Sequence, residues 1–332
     1  MKLPALQSKY LRNKRILLRM DTDVPVEGRK VLDDTRLRAS IPTIKYLLQE
    51  ECGQIVVLGH RGRPGGKTVS SLSLSTIAKH LEKLLKKELG HDFEHLDMYM
   101  AENLRFFPGE EKNDPKFVKE LASNGDVYVN DAFGSSVREH ASVVGLPYVL
   151  PHAAGFSLVR EVEALSKVLE KPKKPVVFVL GGGKGDKALL IPKLLKKCDW
   201  LLVGGLLPKM VRSYGCEREG GMCVSAAHLT PKGEDITPDS AHNFAEIIKT
   251  AGTIVWGGPM GDIDSGFWDG TKVVGMAIGE SSAYKVAGGG DTIHAINKFK
   301  LGGQFDHISM GGGAMLEFLA YGDLPGLKAL RS

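Results

Sequence analysis

Apolar residues along this chain fall into short runs of four or five. Between the runs they recur every three or four positions. Val176–Leu180 (Val-Val-Phe-Val-Leu) is the clearest run, and its β-branched content reads as a strand buried on both faces. Similar runs predict strands over 15–20, 54–59, 98–102, 127–130, 200–203, 253–256, 285–287 and 307–309. Helical spacing appears in the intervals. Leu37, Ile41, Ile44 and Leu48 mark one helix, and Leu74, Ile77, Ala78, Leu81 and Leu85 mark another that ends near Gly90. Further helices are predicted over 115–122, 189–197, 241–249, 272–278, 292–298 and 314–319. Asp33 and Asp34 are placed to cap the helix that follows them, and Pro42 costs it a hydrogen bond or kinks it. Strands alternating with helices predict an α/β protein with parallel sheets covered on both faces. The pattern runs through twice. A helix over 156–169 and the segment Lys171-Pro-Lys-Lys-Pro175 separate the halves.

Length and composition change this picture little. The chain has 332 residues, enough for two domains. It is 42% hydrophobic and 25% charged, as ordinary globular proteins are. No apolar run approaches the roughly 20 residues of a membrane span, and the first residues lack the core of a signal peptide. Cys52, Cys198, Cys216 and Cys223 follow no metal or disulfide spacing and read as unbridged thiols of a reducing cytoplasm. The net charge of +5 suits an anionic small molecule as well as nucleic acid and does not choose between them.

Candidate chemistry gathers just after the strands. The run at 176–180 passes into Gly-Gly-Gly-Lys184-Gly-Asp-Lys187. Such a strand, glycine turn and helix can cradle a phosphate on backbone N–H groups, with two lysines at its mouth. A tight turn with two solvated lysines accounts for the same residues equally well. In the first half, strands lead into Asp21-Thr22-Asp23, His60-Arg61-Gly62-Arg63, Asn103-Leu-Arg105 and Asp131-Ala-Phe-Gly134, then Arg138. In a parallel sheet these turns share one edge. Arg36, Arg63, Arg105 and Arg138 would converge there, where guanidinium forks suit phosphate or carboxylate. Two patterns mislead. The segment 62–68 has three residues between its glycines where a P-loop has four, and no glycine triplet carries the dinucleotide-binding spacing.

Together these motifs resemble the phosphoglycerate kinase family over nearly the whole chain. They include Arg19-Met-Asp-Thr-Asp-Val-Pro25, Gly59-His-Arg-Gly-Arg-Pro64, Glu102-Asn-Leu-Arg-Phe106 and Val129-Asn-Asp-Ala-Phe-Gly134. The second half adds Leu180-Gly-Gly-Gly-Lys184, Val255-Trp-Gly-Gly-Pro-Met-Gly261, Gly288-Gly-Gly-Asp291 and Gly311-Gly-Gly-Ala314. The resemblance implies two Rossmann-like three-layer domains with a cleft between them. These are a phosphoglycerate-binding domain over 1–155, with 321–332 packing back on it, and a nucleotide-binding domain over 171–320. A hinge helix over 156–170 joins them. It implies that Asp21, Thr22, Asp23, Arg36, His60, Arg61, Gly62, Arg63, Arg105 and Arg138 bind 3-phosphoglycerate or 1,3-bisphosphoglycerate. Gly182, Lys184, Lys187, Gly205, Pro259, Asp264, Gly289, Gly290, Asp291 and Thr292 would bind ADP or ATP. Asp291 would hold Mg2+, and Arg36, Lys184 and Lys187 would be catalytic. The implied enzyme is a cytoplasmic monomer without nucleic-acid or membrane partners.

The implied reaction needs no general base, because carboxylate and phosphate oxygens are already ionised. Its difficulty is repulsion between two anions, met by fixed cations and by hinge closure that excludes water. Departures from the family pattern gather in the second half. Residues usually found between Gly205 and Asp235 are missing, leaving a short polar segment with Cys216-Glu-Arg-Glu-Gly-Gly221. The lysine loop is one residue shorter, Gly257 stands where asparagine is usual, and Asp264 stands where the family has glutamate. In the first half, Thr22 and Asp23 replace Phe-Asn. Two other readings fit the same residues: a phosphoglycerate-binding protein with an eroded nucleotide site, and a kinase using another nucleotide.

Overall fold

The structure, a computed structural model, describes residues 1–7, 11–95, 97–183, 185–209 and 223–332. Its α/β chain divides into two compact units, Met1–Val162 with Leu324–Ser332, and Glu163–Asp323.

The first unit contains β1 (Arg15–Arg19), the hairpin β2 (Val26–Glu27) and β3 (Lys30–Val31), α1 (Thr35–Ala39), α2 (Ile41–Gln49), β4 (Gln54–Leu58) and α3 (Ser75–Leu89). It continues through β5 (Met98–Met100), α4 (Pro108–Glu111), α5 (Pro115–Ala122), β6 (Val127–Asn130), β7 (His152–Ala154) and the start of α6 (Phe156–Glu170). The main sheet has the order β5-β4-β1-β6-β7, every neighbouring pair parallel. The chain winds outward from β1 on one side and then restarts at β6 on the other. This order leaves a crevice at the carboxyl ends of β1 and β6, where α/β sheets bind ligands. Ile16, Leu18, Val57 and Val129 from the strands bury against Leu37, Ile44, Leu47, Ile77 and Leu81 from the helices.

The helix predicted through Pro42 is two helices. The first stops at Ala39, and Pro42 sits in the first turn of the second, where its missing N–H costs nothing. Asp33 rather than Asp34 serves the start of α1, accepting from the Thr35 amide at 2.9 Å. Asp34 instead pairs with Arg38 at 2.8 Å and His80 at 2.9 Å.

The second unit takes the rest of α6, then β8 (Val176–Leu180), α7 (Ile191–Leu194), β9 (Trp200–Val203), β10 (Cys223–Ala226), α8 (Pro238–Lys249) and β11 (Thr253–Gly257). It ends with α9 (Asp269–Glu280), β12 (Tyr284–Gly288), α10 (Gly290–Lys298), β13 (His307–Ser309) and α11 (Gly312–Tyr321), while α12 (Pro325–Ala329) belongs to the first unit. Its sheet, β10-β9-β8-β11-β12-β13, is parallel throughout and restarts between β8 and β11. Trp256, Phe244, Ile254 and Ile296 lie in its core. The predicted helix over 189–197 is broken into a 3-10 turn at Gly185–Leu190, the short α7 with Pro192 in its first turn, and a second 3-10 turn at Leu195–Lys197. No helix among the described residues is long and apolar enough to cross a membrane.

Candidate active site

In the first unit, the turns after β1 and β4 are tied together before any ligand is considered. Thr22 is fully buried, and its hydroxyl donates to the His60 carbonyl at 2.8 Å. Asp23 accepts from the Gly62 amide at 3.1 Å, and Arg36 donates to the Asp23 carbonyl. Asp21 accepts from the Gly134 amide and the Ser135 hydroxyl, both at 2.6 Å, tying in the turn after β6. Asn103 holds the turn after β5, donating to the carbonyls of Arg61 at 2.7 Å and Leu72 at 2.9 Å. Four strand ends thus form one hydrogen-bonded surface. Gly62 sits at φ +62°, a conformation that favours glycine.

Cations concentrate on that surface. Arg105 is mostly buried; it donates to the Gly62 carbonyl at 2.7 Å and lies 3.4 Å from Glu111. Burial, with Arg19, Arg105, His140 and Arg36 close enough to act on it, pushes His60 well below the usual histidine range. Burial, with Arg105, Arg19 and Arg138 nearby, likewise pushes His140 down to about 4. Both rings are therefore neutral at pH 7. These shared fields bring together Arg36, His60, Arg105 and Arg138 of the predicted set. Arg63 is exposed just beyond Gly62. Two predicted binding residues have other engagements. The Thr22 hydroxyl is spent inside the protein, and Arg61 donates to the Ser71 carbonyl at 2.7 Å.

Sequence reasoning missed Arg19, His140 and Glu110. Arg19 ends β1 fully buried and donates to His60 Nδ1 at 2.8 Å. The signal was available: an arginine closing an otherwise apolar strand has to be partnered.

In the second unit, backbones crowd at the β8 and β11 ends. A Cβ on Gly181 would lie 2.0 Å from the Pro259 carbonyl oxygen, and one on Gly205 2.4 Å from the Gly182 amide nitrogen. Only glycine allows this closeness. Lys187 donates from Nζ to the carbonyls of Gly181 at 2.9 Å and Gly257 at 3.0 Å. Thr292 is buried, and its hydroxyl accepts from the Gly258 amide at 2.8 Å. That bond fastens the first turn of α10, which Gly289 and Gly290 open, to the β11 turn.

Beside these turns lies a cleft of about 430 Å³ that brings together Gly182, Gly205, Pro259, Asp264 and Asp291 of the predicted nucleotide set. Lys209, Lys232, Glu234 and Asp262 also line it, so charges of both signs stand among apolar and glycine surface such as Leu206 and Ile263. Lys187, Gly289, Gly290 and Thr292 are not among its lining residues. Lys184 and the 216–221 segment lie outside the described residues.

Comparisons with known proteins agree on one family. The phosphoglycerate kinase family model matches residues 6–218 and 214–321. The phosphoglycerate kinase of Moorella thermoacetica is 38% identical over 386 residues, spanning 98% of each chain. The solved phosphoglycerate kinase of Coxiella burnetii superposes with a TM-score of 0.82 at 30% identity, covering 99% of each chain. That of Pyrococcus horikoshii gives 0.82 at 28% identity, covering 99% of this chain and 98% of its own. A cationic surface closing one parallel sheet, a glycine-lined cleft beside the other, and matches that run the length of the chain lead to one conclusion: this chain belongs to the phosphoglycerate kinase family.

Proposed function

We propose that the first unit binds 3-phosphoglycerate or 1,3-bisphosphoglycerate along the carboxyl edge of its sheet. The second unit binds ADP or ATP in its glycine-lined cleft, and a phosphoryl group passes reversibly between the two substrates. The observation that carries this reading is the clustering of Arg36, His60, Arg105 and Arg138 around turns locked by Asp21, Thr22 and Asp23. Arg36 and Arg105 meet the carboxylate and phosphate of the substrate, with Arg63 and Arg138 on the rim. His60, held neutral, donates a hydrogen bond rather than adding charge.

Because both reacting oxygens are anionic, catalysis here is positioning and charge stabilisation. Arg36 flanks the transferring group from the first unit, and Lys184 and Lys187 serve the nucleotide phosphates. Asp291 is exposed at the start of α10, on the wall of the cleft. One carboxylate completed by phosphate oxygens and water is a donor set that fits Mg2+, which supplies charge neutralisation when bound. The enzyme acts as a cytoplasmic monomer on small molecules alone.

Calorimetry and a coupled assay test this reading. Arg36→Ala and Arg105→Met are expected to weaken 3-phosphoglycerate binding more than tenfold and to leave MgADP binding within twofold. Arg36→Ala should also cut ATP formation by on the order of 10³-fold, as loss of a transition-state cation does. Undiminished 3-phosphoglycerate binding in both variants would remove the assignment.

A further inference from the structure

Beneath the cationic surface runs a buried chain of contacts that the reaction itself does not use. Arg19 Nη2 lies 2.8 Å from His60 Nδ1, and Arg19 Nε donates to Ser142 Oγ at 3.0 Å. The Ser142 hydroxyl donates to Glu110 Oε1 at 2.6 Å, and the Ser142 amide donates to Oε2 at 3.0 Å. Both Glu110 oxygens accept; burial pushes this carboxyl up, and Arg19 and the two Ser142 hydrogen bonds oppose that push, with His140 Nδ1 3.7 Å from Oε1. Arg19, Ser142 and Glu110 are all fully buried. Ser142 is itself anchored, since the Tyr128 hydroxyl donates to its carbonyl at 2.7 Å.

The direction of this chain has a consequence for His60. A guanidinium group has donors only. The Nδ1 atom facing it must therefore offer a lone pair, and the single proton of a neutral imidazole must sit on Nε2. Nε2–H can donate to an anionic substrate, whereas the opposite tautomer would turn a lone pair toward that anion. The orientation of Arg19 thus decides whether His60 attracts or repels. One edge of that guanidinium is held beside the strand itself, where Nη1 donates to the Met20 carbonyl. Its Nε is held by Ser142, and Ser142 is held by the Glu110 carboxyl group.

We propose that Glu110 is a positioning residue for phosphoglycerate binding: through Ser142 and Arg19 it fixes His60 as the tautomer that donates from Nε2. The proposal rests on the reading that His60 meets the substrate. It extends that reading to a side chain on α4 that touches no ligand.

Long-range 1H–15N correlation spectra of histidine-labelled, substrate-free enzyme at pH 7 test it. His60 is expected to appear as the pure Nε2–H tautomer in the parent and as a mixture in Glu110→Gln and Ser142→Ala. Both variants should raise KM for 3-phosphoglycerate about tenfold, the loss of one hydrogen bond to a charged group. They should leave kcat and KM for ATP within twofold. Ser142→Ala removes only a hydroxyl and carries the test if Glu110→Gln does not fold. An Nδ1–H tautomer in the parent, or a pure Nε2–H tautomer in both variants, would overturn the relay. Mixed tautomers with an unchanged KM would overturn its link to binding. His60→Ala separates the underlying reading: an unchanged KM there removes His60 from the substrate site, while the substrate-free spectra still judge the relay.

Discussion

Lys187 places its ammonium group 3.0 Å from the carbonyl oxygen of Gly257, joining the glycine turn after β8 to the end of β11. The same group also serves Gly181 at 2.9 Å. A lysine expected at a nucleotide phosphate is thus also a clasp between the two central strands of its sheet. Lys187→Met keeps the stem and removes the donors; the Gly257 carbonyl keeps the Gly181 amide at 3.2 Å, and the Gly181 carbonyl loses its lysine partner. The expected loss is about 1–3 kcal/mol of unfolding free energy. Urea denaturation of the variant checks this, and a midpoint equal to the parent's would mean the clasp carries no stability.

Asp131 gives a pH dependence. It is buried behind the β6 turn, where Oδ1 accepts from the Ser157 amide at 2.8 Å and the Leu158 amide at 3.3 Å, at the start of α6. Its Oδ2 meets no donor in hydrogen-bonding geometry, although the Ser40 and Thr43 hydroxyls stand alongside. Burial pushes this carboxyl up to about 7. An acid with a raised folded value holds its proton in the native state after the unfolded chain has released it. Its contribution is therefore fully present below about pH 4 and falls as pH rises toward 7, by at most roughly 1.4 kcal/mol per pH unit. Asp131→Asn cannot ionise and should flatten this part of the profile. Denaturation midpoints measured from pH 4.5 to 7.5 decide it: parallel profiles for parent and variant would exclude Asp131 as the source.

The buried Thr22 hydroxyl is expected to act on binding through structure. Thr22→Val keeps the shape and removes the donor to the His60 carbonyl, costing about 1 kcal/mol. It should raise KM for 3-phosphoglycerate a few-fold and leave KM for ATP untouched. If kinetics show an equal rise for both substrates, the β1–β4 tie does not position His60.

Gly205 stands at φ +62° with no room for a methyl group beside Gly182. Gly205→Ala is expected to force the two turns apart. Strain and lost contacts together should cost on the order of 2–4 kcal/mol. Nucleotide binding should weaken with it, while 3-phosphoglycerate binding, proposed for the other unit, should hold. Calorimetry with each ligand separates the two effects.

Much of the fold was readable because buried parallel strands are nearly all apolar and amphipathic helices are periodic. The strands at 127–130, 200–203 and 307–309 and the helix at 115–122 needed no tertiary information. The edge strands β7 and β10 were missed. Cys-Val-Ser-Ala and His-Ala-Ala lack the bulky β-branched runs that mark a strand, and they are strands because a neighbour offers hydrogen bonds. The 189–197 segment was misread because its apolar spacing is helical while Pro192 and the preceding turn interrupt the backbone. For the site, Arg36, His60 and Arg105 could be found because basic residue types just after apolar strands are conspicuous in the sequence, even where folding buries them, as it does His60 and Arg105. Arg19 could not be assigned from spacing alone. Its meaning lies in Ser142 and Glu110, which only folding brings beneath it. Thr22 enters the binding set through the family resemblance alone, and its buried hydroxyl on the His60 carbonyl is a contact that the sequence does not reveal.

One detail of the chain's route bears on how the molecule is made. Residues Leu324–Ser332 belong to the first unit, where the Gly326 amide donates to the Ser136 carbonyl at 2.8 Å and Ala329 packs on Val143 and Val144. During synthesis, the early half therefore emerges with a bare patch that must wait until the entire later half has been translated. A nascent-chain intermediate stalled before residue 324 would show that patch to chaperones and proteases, and the finished protein would not.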